Sequence, residues 1–323
     1  MQALMRPTLR LARVFGMLPV DLQDGRFHWM SFATAYCVFM GSFFPALGVW
    51  GIVRSFGFQT VSNTVAMLNS MMSLLLCGTM ALANVLLARH WRALCAAYDH
   101  VVTQIHVLAI APDLRRRHRT LGAVAAGGFT LALLLLLLET WYTYPRLTPR
   151  ERLILMLVRT ALFGLYTVSD LLLAVVSDAL TQNLRAFTAL LRPAAGEEAT
   201  PDFWEEARRT YGNLTDLVDF VDGKIGLMMI GSYAQSGIYL CNSLYHILRA
   251  LWAESVTVSV TNFVAASIRL LCVAFYTTAV HQEWLHLKSV VFKAEARGDT
   301  ARVVQGVHWL SPGKRPTHSG PED

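Results

Sequence analysis

Gln235, Tyr239 and Asn242 fall on one face of a single apolar stretch, at spacings of four and three. An amide and a phenol side by side inside a membrane can give and take hydrogen bonds with a hydroxyl-rich ligand. The same residues serve equally well as hydrogen bonds between helices. Asp170 and Arg269 sit in two other apolar stretches and carry opposite charges. Charges in lipid are tolerated when paired, so these two read as a brace holding the bundle together. Arg159 is a further structural charge in the same stretch as Asp170. Glu139 and Trp141, followed by Tyr142, close another stretch. There an acid can accept hydrogen bonds from sugar hydroxyls while a ring stacks on the sugar's C–H face. The alternative is an interfacial aromatic belt beside a solvated acid.

No catalytic constellation accompanies these residues. The sequence has no HExxH, no GxSxG and no Walker motif. His281 and Glu283 lack a third ligand within motif spacing, so neither a metal nor a cofactor is expected. Cys37, Cys77, Cys95, Cys241 and Cys272 form no CxxC pair and read as small packing residues.

The elements that must position these groups are six long apolar stretches, at about Ser31–Val53, Thr64–Ala88, Leu121–Trp141, Leu153–Ser177, Ile225–Leu248 and Thr257–Val280. A bilayer-spanning helix needs about 20 predominantly apolar residues, and all six qualify. Only 15% of the 323 residues are charged, against about 25% in soluble domains. The expected fold is therefore an all-α, polytopic membrane helical bundle with six transmembrane helices, formed by residues 1–290. Residues 291–323 read as a polar, disordered tail.

Orientation follows from charge. Twenty-one of the 28 Lys and Arg lie in the N-terminus, the second and fourth connections and the tail, against five in the alternate loops. The positive-inside rule puts the N-terminus in the cytoplasm. The net charge of +6 is spread between apolar spans, so it does not point to nucleic acid. The first 20 residues read as an amphipathic helix near the inner surface or as a solvated basic arm. With no apolar leader core among Arg6, Arg10, Arg13 and Arg26, the first span is expected to direct insertion. Trp91, Leu94 and Tyr98 predict that the second span continues as a helix below the membrane, to a break at Pro112. Phe203, Trp204, Tyr211, Leu214, Leu217 and Val221 predict a helix restarting near Pro201 and running toward the fifth span.

The order of several short motifs resembles the insect gustatory receptors, most closely their sweet-taste (sugar) branch. These are Val14-Phe15-Gly16-Met17-Leu18-Pro19-Val20, Leu138-Glu139, Ser169-Asp170-Leu171, Leu217-Val218-Asp219, Ser232-Tyr233-Ala234-Gln235 with Tyr239, and Ala279-Val280-His281-Gln282-Glu283. The resemblance covers about residues 5–290. It implies a plasma-membrane subunit of a tetrameric, ligand-gated cation channel, made with like subunits or related receptors. It also implies a sugar bound from outside near Glu139, Trp141, Tyr142, Asp170, Gln235, Tyr239 and Asn242. The family's seventh span lines the pore with a Thr-Tyr…Gln motif. This sequence departs from the pattern after Leu285-His286-Leu287, so the resemblance implies a chain truncated before that span. Two alternatives stand beside this reading: a non-conducting accessory subunit and a secondary transporter. A transporter would call for internal repeats, and no three-plus-three repeat is evident.

Overall fold

The computed structural model describes residues 30–55, 61–108, 148–194, 201–250 and 256–297, with shorter pieces at 8–10, 12, 18–20, 27–28, 130 and 134. The five long pieces are helices: α1 (Phe32–Ser55), α2 (Val61–Leu108), α3 (Pro149–Ala194), α4 (Pro201–Ala250) and α5 (Val256–Arg297). They contain five of the six apolar stretches. The third stretch, Leu121–Trp141, lies outside the described residues apart from two positions. The described residues contain no strand, only an isolated bridge between Val20 and Phe27. The architecture is a membrane helical bundle.

Local chemistry marks where helices begin. Thr148 and Glu151 form a reciprocal capping box: the Thr148 amide donates to Glu151 Oε2 at 2.9 Å, and the Glu151 amide to Thr148 Oγ1 at 3.4 Å. Pro149 and Pro201 occupy first helical positions, where their missing N–H is harmless. Ser31 Oγ accepts from the Thr34 amide at 3.1 Å and starts α1.

Three described segments are long and apolar enough to cross a membrane: Met71–Ile105, Pro149–Arg192 and Phe263–Phe292. They hold the second, fourth and sixth expected spans. α1, 24 residues long, holds the first expected span. In α4 the fifth span is diluted by Gln235, Tyr239 and Asn242. On α5, Leu271 and Phe275 are 67% and 71% exposed. Large apolar side chains turned outward at helical spacing are what a lipid-facing surface requires.

The helices are much longer than a bilayer. α2, α3, α4 and α5 have 48, 46, 50 and 42 residues. At about 1.5 Å per residue each is roughly twice the 30 Å hydrocarbon thickness. The projecting parts pack on one another. Trp91, Leu94, Tyr98, Val101 and Ile105 of α2 are buried, as are Leu180, Leu184, Phe187 and Leu191 of α3, and Leu214, Leu217 and Val221 of α4. Alternating steps of three and four give each helix a narrow coiled-coil-like seam. The seams are the stripes expected from Trp91 and Phe203 onward, and they pack between long helices of one chain. Arg185 Nε donates to Glu283 Oε1 at 2.7 Å, and Tyr211 stacks on Trp284 at 5.8 Å between ring centroids. Burial pushes the Tyr211 phenol above its ordinary range. α5 continues through Arg297, with Val291 buried. Near the N-terminus, Leu9 and Ala12 pack into the protein's own core.

α1 meets α2 at close range through small residues. A Cβ at Gly78 would meet Pro45 Cγ and stand 2.9 Å from the Gly41 carbonyl oxygen, while a Cβ at Gly41 would lie 3.2 Å from Ala81 Cβ. Gly226 has nothing within 4 Å of such an atom. Gly78→Val is expected to abolish a monodisperse folded fraction by size-exclusion chromatography in detergent. Gly226→Ala is expected to raise thermal stability by about 0.5–1 kcal/mol. An equal effect of the two would contradict the close approach of α1 to α2.

The cytoplasmic placement expected of the projecting bundle from the charge count is tested at the sequon Asn213-Leu214-Thr215. Asn213 Nδ2 donates to Gln104 Oε1 at 2.9 Å across α2 and α4. In a eukaryotic host, endoglycosidase treatment is expected to leave the electrophoretic mobility of the wild type and of Asn213→Gln unchanged. A glycan at Asn213 would reverse the topology.

Candidate intramembrane polar site

Five helix-borne side chains meet where α3, α4 and α5 pass inside the membrane. Asp170 and Tyr166 stand one turn apart on α3. Ser232 and Tyr239 lie on one face of α4, and Arg269 reaches in from α5. Asp170 Oδ2 accepts from Arg269 Nε in an ion pair, while Asp170 Oδ1 accepts from Ser232 Oγ at 2.5 Å. The acid is only 8% exposed. The Arg269 guanidinium also lies over the Tyr166 ring at 5.4 Å, a cation–π contact strengthened by exclusion of water. The Tyr166 hydroxyl donates to the Ser73 carbonyl of α2 at 2.5 Å, so the cluster joins four helices. Tyr239 meets Tyr166 edge to face, with 6.4 Å between ring centroids.

Two further bonds brace the site. Asn84 Nδ2 of α2 donates to Ser169 Oγ of α3 at 3.0 Å. The hydroxyls of Tyr233 on α4 and Thr277 on α5 are 2.9 Å apart. Among α2, α3, α4 and α5, each pair that packs together is thus stitched by a polar contact, or by close packing such as Gly231 of α4 against Met80 Sδ at 2.5 Å from the position of a Cβ.

Gln235 departs from this satisfaction, as Trp91 Nε1, Thr167 Oγ1 and Thr210 Oγ1 do elsewhere in the bundle. Its side chain is 0% exposed, and neither its amide oxygen nor its amide nitrogen has a hydrogen-bond partner among the described residues. Ser236 Oγ and Arg269 Nη2 are buried in the same condition. A buried polar atom left unbonded is destabilising by about 1–3 kcal/mol. Gln235 and Ser236 share the face of α4 that carries Ser232 and Tyr239, at spacings of three and four.

Of the residues expected to form a site, the structure brings Asp170 and Tyr239 into one cluster and sets Gln235 one turn along α4 from Tyr239 and from Ser232, the residue that bonds Asp170. The Asp170–Arg269 pairing is present. Arg159 is half-buried on α3, three turns from Asp170 and on the side of α3's first turn. Asn242 is half-buried on α4, one turn beyond Tyr239. Glu139, Trp141 and Tyr142 lie outside the described residues. Glu283 is bound to Arg185, and no group of three metal-binding side chains occurs among the described residues. Sequence reasoning did not single out Ser232, Ser236 or Ser73. Ser232 and Ser236 lie three residues before and one after Gln235, so the helical face was the available signal. Ser73 takes part through its backbone, which no residue type announces.

Removing one partner of the ion pair would strand a charge in the interior. Asp170→Ala is expected to lower unfolding free energy by about 3–5 kcal/mol. Combining it with Arg269→Met is expected to recover most of that loss, measured by thermal unfolding in detergent. Additive losses in the double variant would show that the two side chains do not act as a pair.

Comparison with known proteins bears on this geometry. Part of the chain is similar to the gustatory receptor for sugar taste 64f of Drosophila melanogaster, 28% identical over 122 residues. The match covers 37% of this chain and 26% of that receptor's length. The family model described as 7tm Chemosensory receptor matches residues 5–311, nearly the whole sequence. A multi-pass helical bundle with a polar cluster at its centre, matched along that length, belongs to the 7tm chemosensory receptor family.

Proposed function

We propose that this chain is a sugar-sensing gustatory receptor subunit of the plasma membrane, working in a ligand-gated cation channel with like or related subunits. The observation that carries the reading is the Gln235 amide, buried with neither its donor nor its acceptor bonded among the described residues. A sugar hydroxyl is itself donor and acceptor, and an amide can answer both roles. Tyr239, 37% exposed, offers a ring to the ligand's C–H face from the same side of α4. Asp170 and Arg269 cancel one another, so the site carries no net charge to favour an ionic ligand. Membership of a chemosensory family, and likeness to a receptor named for sugar taste, agree with this chemistry. Asn242 extends the same helical face outward, and Glu139, Trp141 and Tyr142 complete the proposed entrance.

Buried polar groups discriminate strongly for ligands that satisfy them, because the alternative leaves them unbonded. The experiment is a titration of the purified chain, in lipid nanodiscs, with glucose, trehalose and fructose, followed by intrinsic tryptophan fluorescence. At least one sugar is expected to bind saturably. Gln235→Leu is expected to weaken it by about tenfold, the loss of roughly one good hydrogen bond. Absence of saturable binding by all three sugars would refute the sugar reading. Cation currents evoked by the binding sugar in expressing cells test the channel part separately.

A further inference from the structure

We propose that Arg89 of α2 and Lys224 of α4, with Arg92 beside them, hold the phosphate of an anionic phospholipid where the seam between the two helices leaves the bilayer. The site is independent of any ligand at the intramembrane cluster.

The outward faces of both helices mark the level. Along α2 the exposed face carries Leu82 and Leu86, then Arg89 and Arg92. Along α4, which runs the other way, Ile230 and Leu227 are exposed, and the half-buried Lys224 follows. Each helix exchanges apolar for basic side chains within a turn of its last exposed leucine. Such a change marks the boundary between hydrocarbon and headgroups, where long basic side chains lay their stems on apolar surface and their heads in water.

Two contacts show that the levels coincide. Asn213 bonds Gln104, and farther along the seam a Cβ at Gly231 would touch Met80. Lys224 stands about three-fifths of the way from Asn213 to Gly231, and the same fraction of the way from Gln104 to Met80 falls at Arg89. Lys224 is also about three full turns from Asn213, so it lies on the flank of α4 that meets α2. Packed helix axes are about 8–10 Å apart, and long basic side chains on neighbouring helices can converge on one phosphate across that gap. Lys224 Nζ rests 5.9 Å from the Phe220 ring centroid, a contact that holds the ammonium without neutralising it. Asp219 and Asp222 are about 140° and 160° around α4 from Lys224, on its far side.

The other described bases at this end of the bundle are engaged or lie deeper. Arg185 is bound to Glu283, Arg192 Nη2 is 3.1 Å from His286 Nε2, and Lys288 lies over the Trp284 ring. Arg208 and Arg209 are exposed on α4, but about 24 Å farther from the boundary. Arg89 and Arg92 form no ion pair with a described residue. A ligand that meets them must be anionic, with its phosphate at the boundary and apolar chains along Leu82, Leu86, Leu227 and Ile230. A phospholipid has that form and a free phosphate does not. The charge count expects this end of the helices in the cytoplasm, where the leaflet carries anionic lipid.

The test uses the full chain in phosphatidylcholine nanodiscs. Energy transfer from tryptophan to dansyl-labelled lipid reads the preference for phosphatidylserine over phosphatidylcholine. One basic residue near an anionic surface contributes about fivefold in association, and the wild type is expected to show at least that preference. Arg89→Gln with Lys224→Gln is expected to bring the preference close to one, with the melting temperature in phosphatidylcholine unchanged. Arg208→Gln with Arg209→Gln removes the same charge elsewhere and is expected to leave the preference intact. Equal loss in the two pairs assigns the effect to overall charge and overturns the site, as does a wild type with no preference. If the first pair fails to fold, Arg92→Gln decides: a fall of about twofold to fivefold supports the site, and an unchanged preference overturns it. Glycerophosphoserine, the headgroup without its chains, is expected not to displace the labelled lipid. Displacement by it at the concentration at which the lipid itself competes would overturn the assignment to a phospholipid.

Discussion

Two opposite charges inside a bilayer impose more on the surrounding protein than any apolar contact does. Neither Asp170 nor Arg269 is tolerable alone in a low-dielectric interior. Their helices, α3 and α5, must therefore stay close enough for contact throughout the life of the fold. The carboxylate has two oxygens, and the second recruits Ser232 from α4. The guanidinium has a face, and that face is covered by Tyr166. Tyr166 in turn needs an acceptor for its hydroxyl and finds the Ser73 carbonyl of α2. One electrostatic requirement, followed from atom to atom, fixes the relative positions of four helices. General apolar burial discriminates little inside lipid, because lipid tails offer apolar contact too, so position is set by polar contacts here and by close packing of small residues between α1 and α2.

Beyond the bilayer a different force takes over. The projecting parts of α2, α3 and α4 are lined by seams of Leu, Val and aromatic residues at heptad-like spacing. In water these seams are driven together by burial of apolar surface, at about 25 cal/mol per Å². Charges such as Arg185 and Glu283 sit at the rim, where they set register more than stability. The molecule thus has two zones built on opposite principles. In one, polar contacts select among apolar neighbours; in the other, apolar seams collapse within a polar solvent. The helices are continuous through both zones, so a change in the polar cluster must be carried along rigid rods into the seam.

Much of this was legible in the sequence because its signals were redundant. Apolar length marked the spans, charge asymmetry gave an orientation, and the stripes from Trp91 and Phe203 predicted helices continuing past the spans. The Asp170–Arg269 pair was legible because two charges in lipid leave few alternatives. The fifth span shows the limit of apolar length as a signal. Gln235, Tyr239 and Asn242 dilute it, and its place in the fold follows from its neighbours instead. The hydroxyl partners were less legible. A serine in a membrane helix commonly bonds its own backbone a turn earlier, as Ser267 does to the Phe263 carbonyl at 2.8 Å. Nothing in the residue type distinguishes that habit from Ser232 reaching across to Asp170. The close approach at Gly78 was also hidden, since a glycine in a transmembrane helix is common and its meaning depends on the helix opposite.

The polar cluster also explains why a receptor would leave some buried groups unbonded. A fully satisfied interior is stable and inert, since a ligand entering it would have to displace bonds already made. Gln235, Ser236 and Arg269 Nη2 form the opposite condition: they raise the free energy of the empty protein and lower it when a partner arrives. A ligand shifts a conformational equilibrium by its differential affinity for the two states, so such groups act as a switch only if one conformation offers them to the ligand and the other does not. The free energy involved, a few hydrogen bonds, fits a site meant to respond reversibly to its ligand. Its location matters equally. Gln235 and Ser236 share a face of α4 with Ser232, which bonds the Asp170 of the ion pair, so in the proposed site a bound ligand would act next to the contacts that set the helix positions. A binding site on the lipid-facing side of α5 would have no such hold on the bundle. The instability stored around Gln235 is therefore consistent with sensing, in a position where the rest of the structure can feel its release.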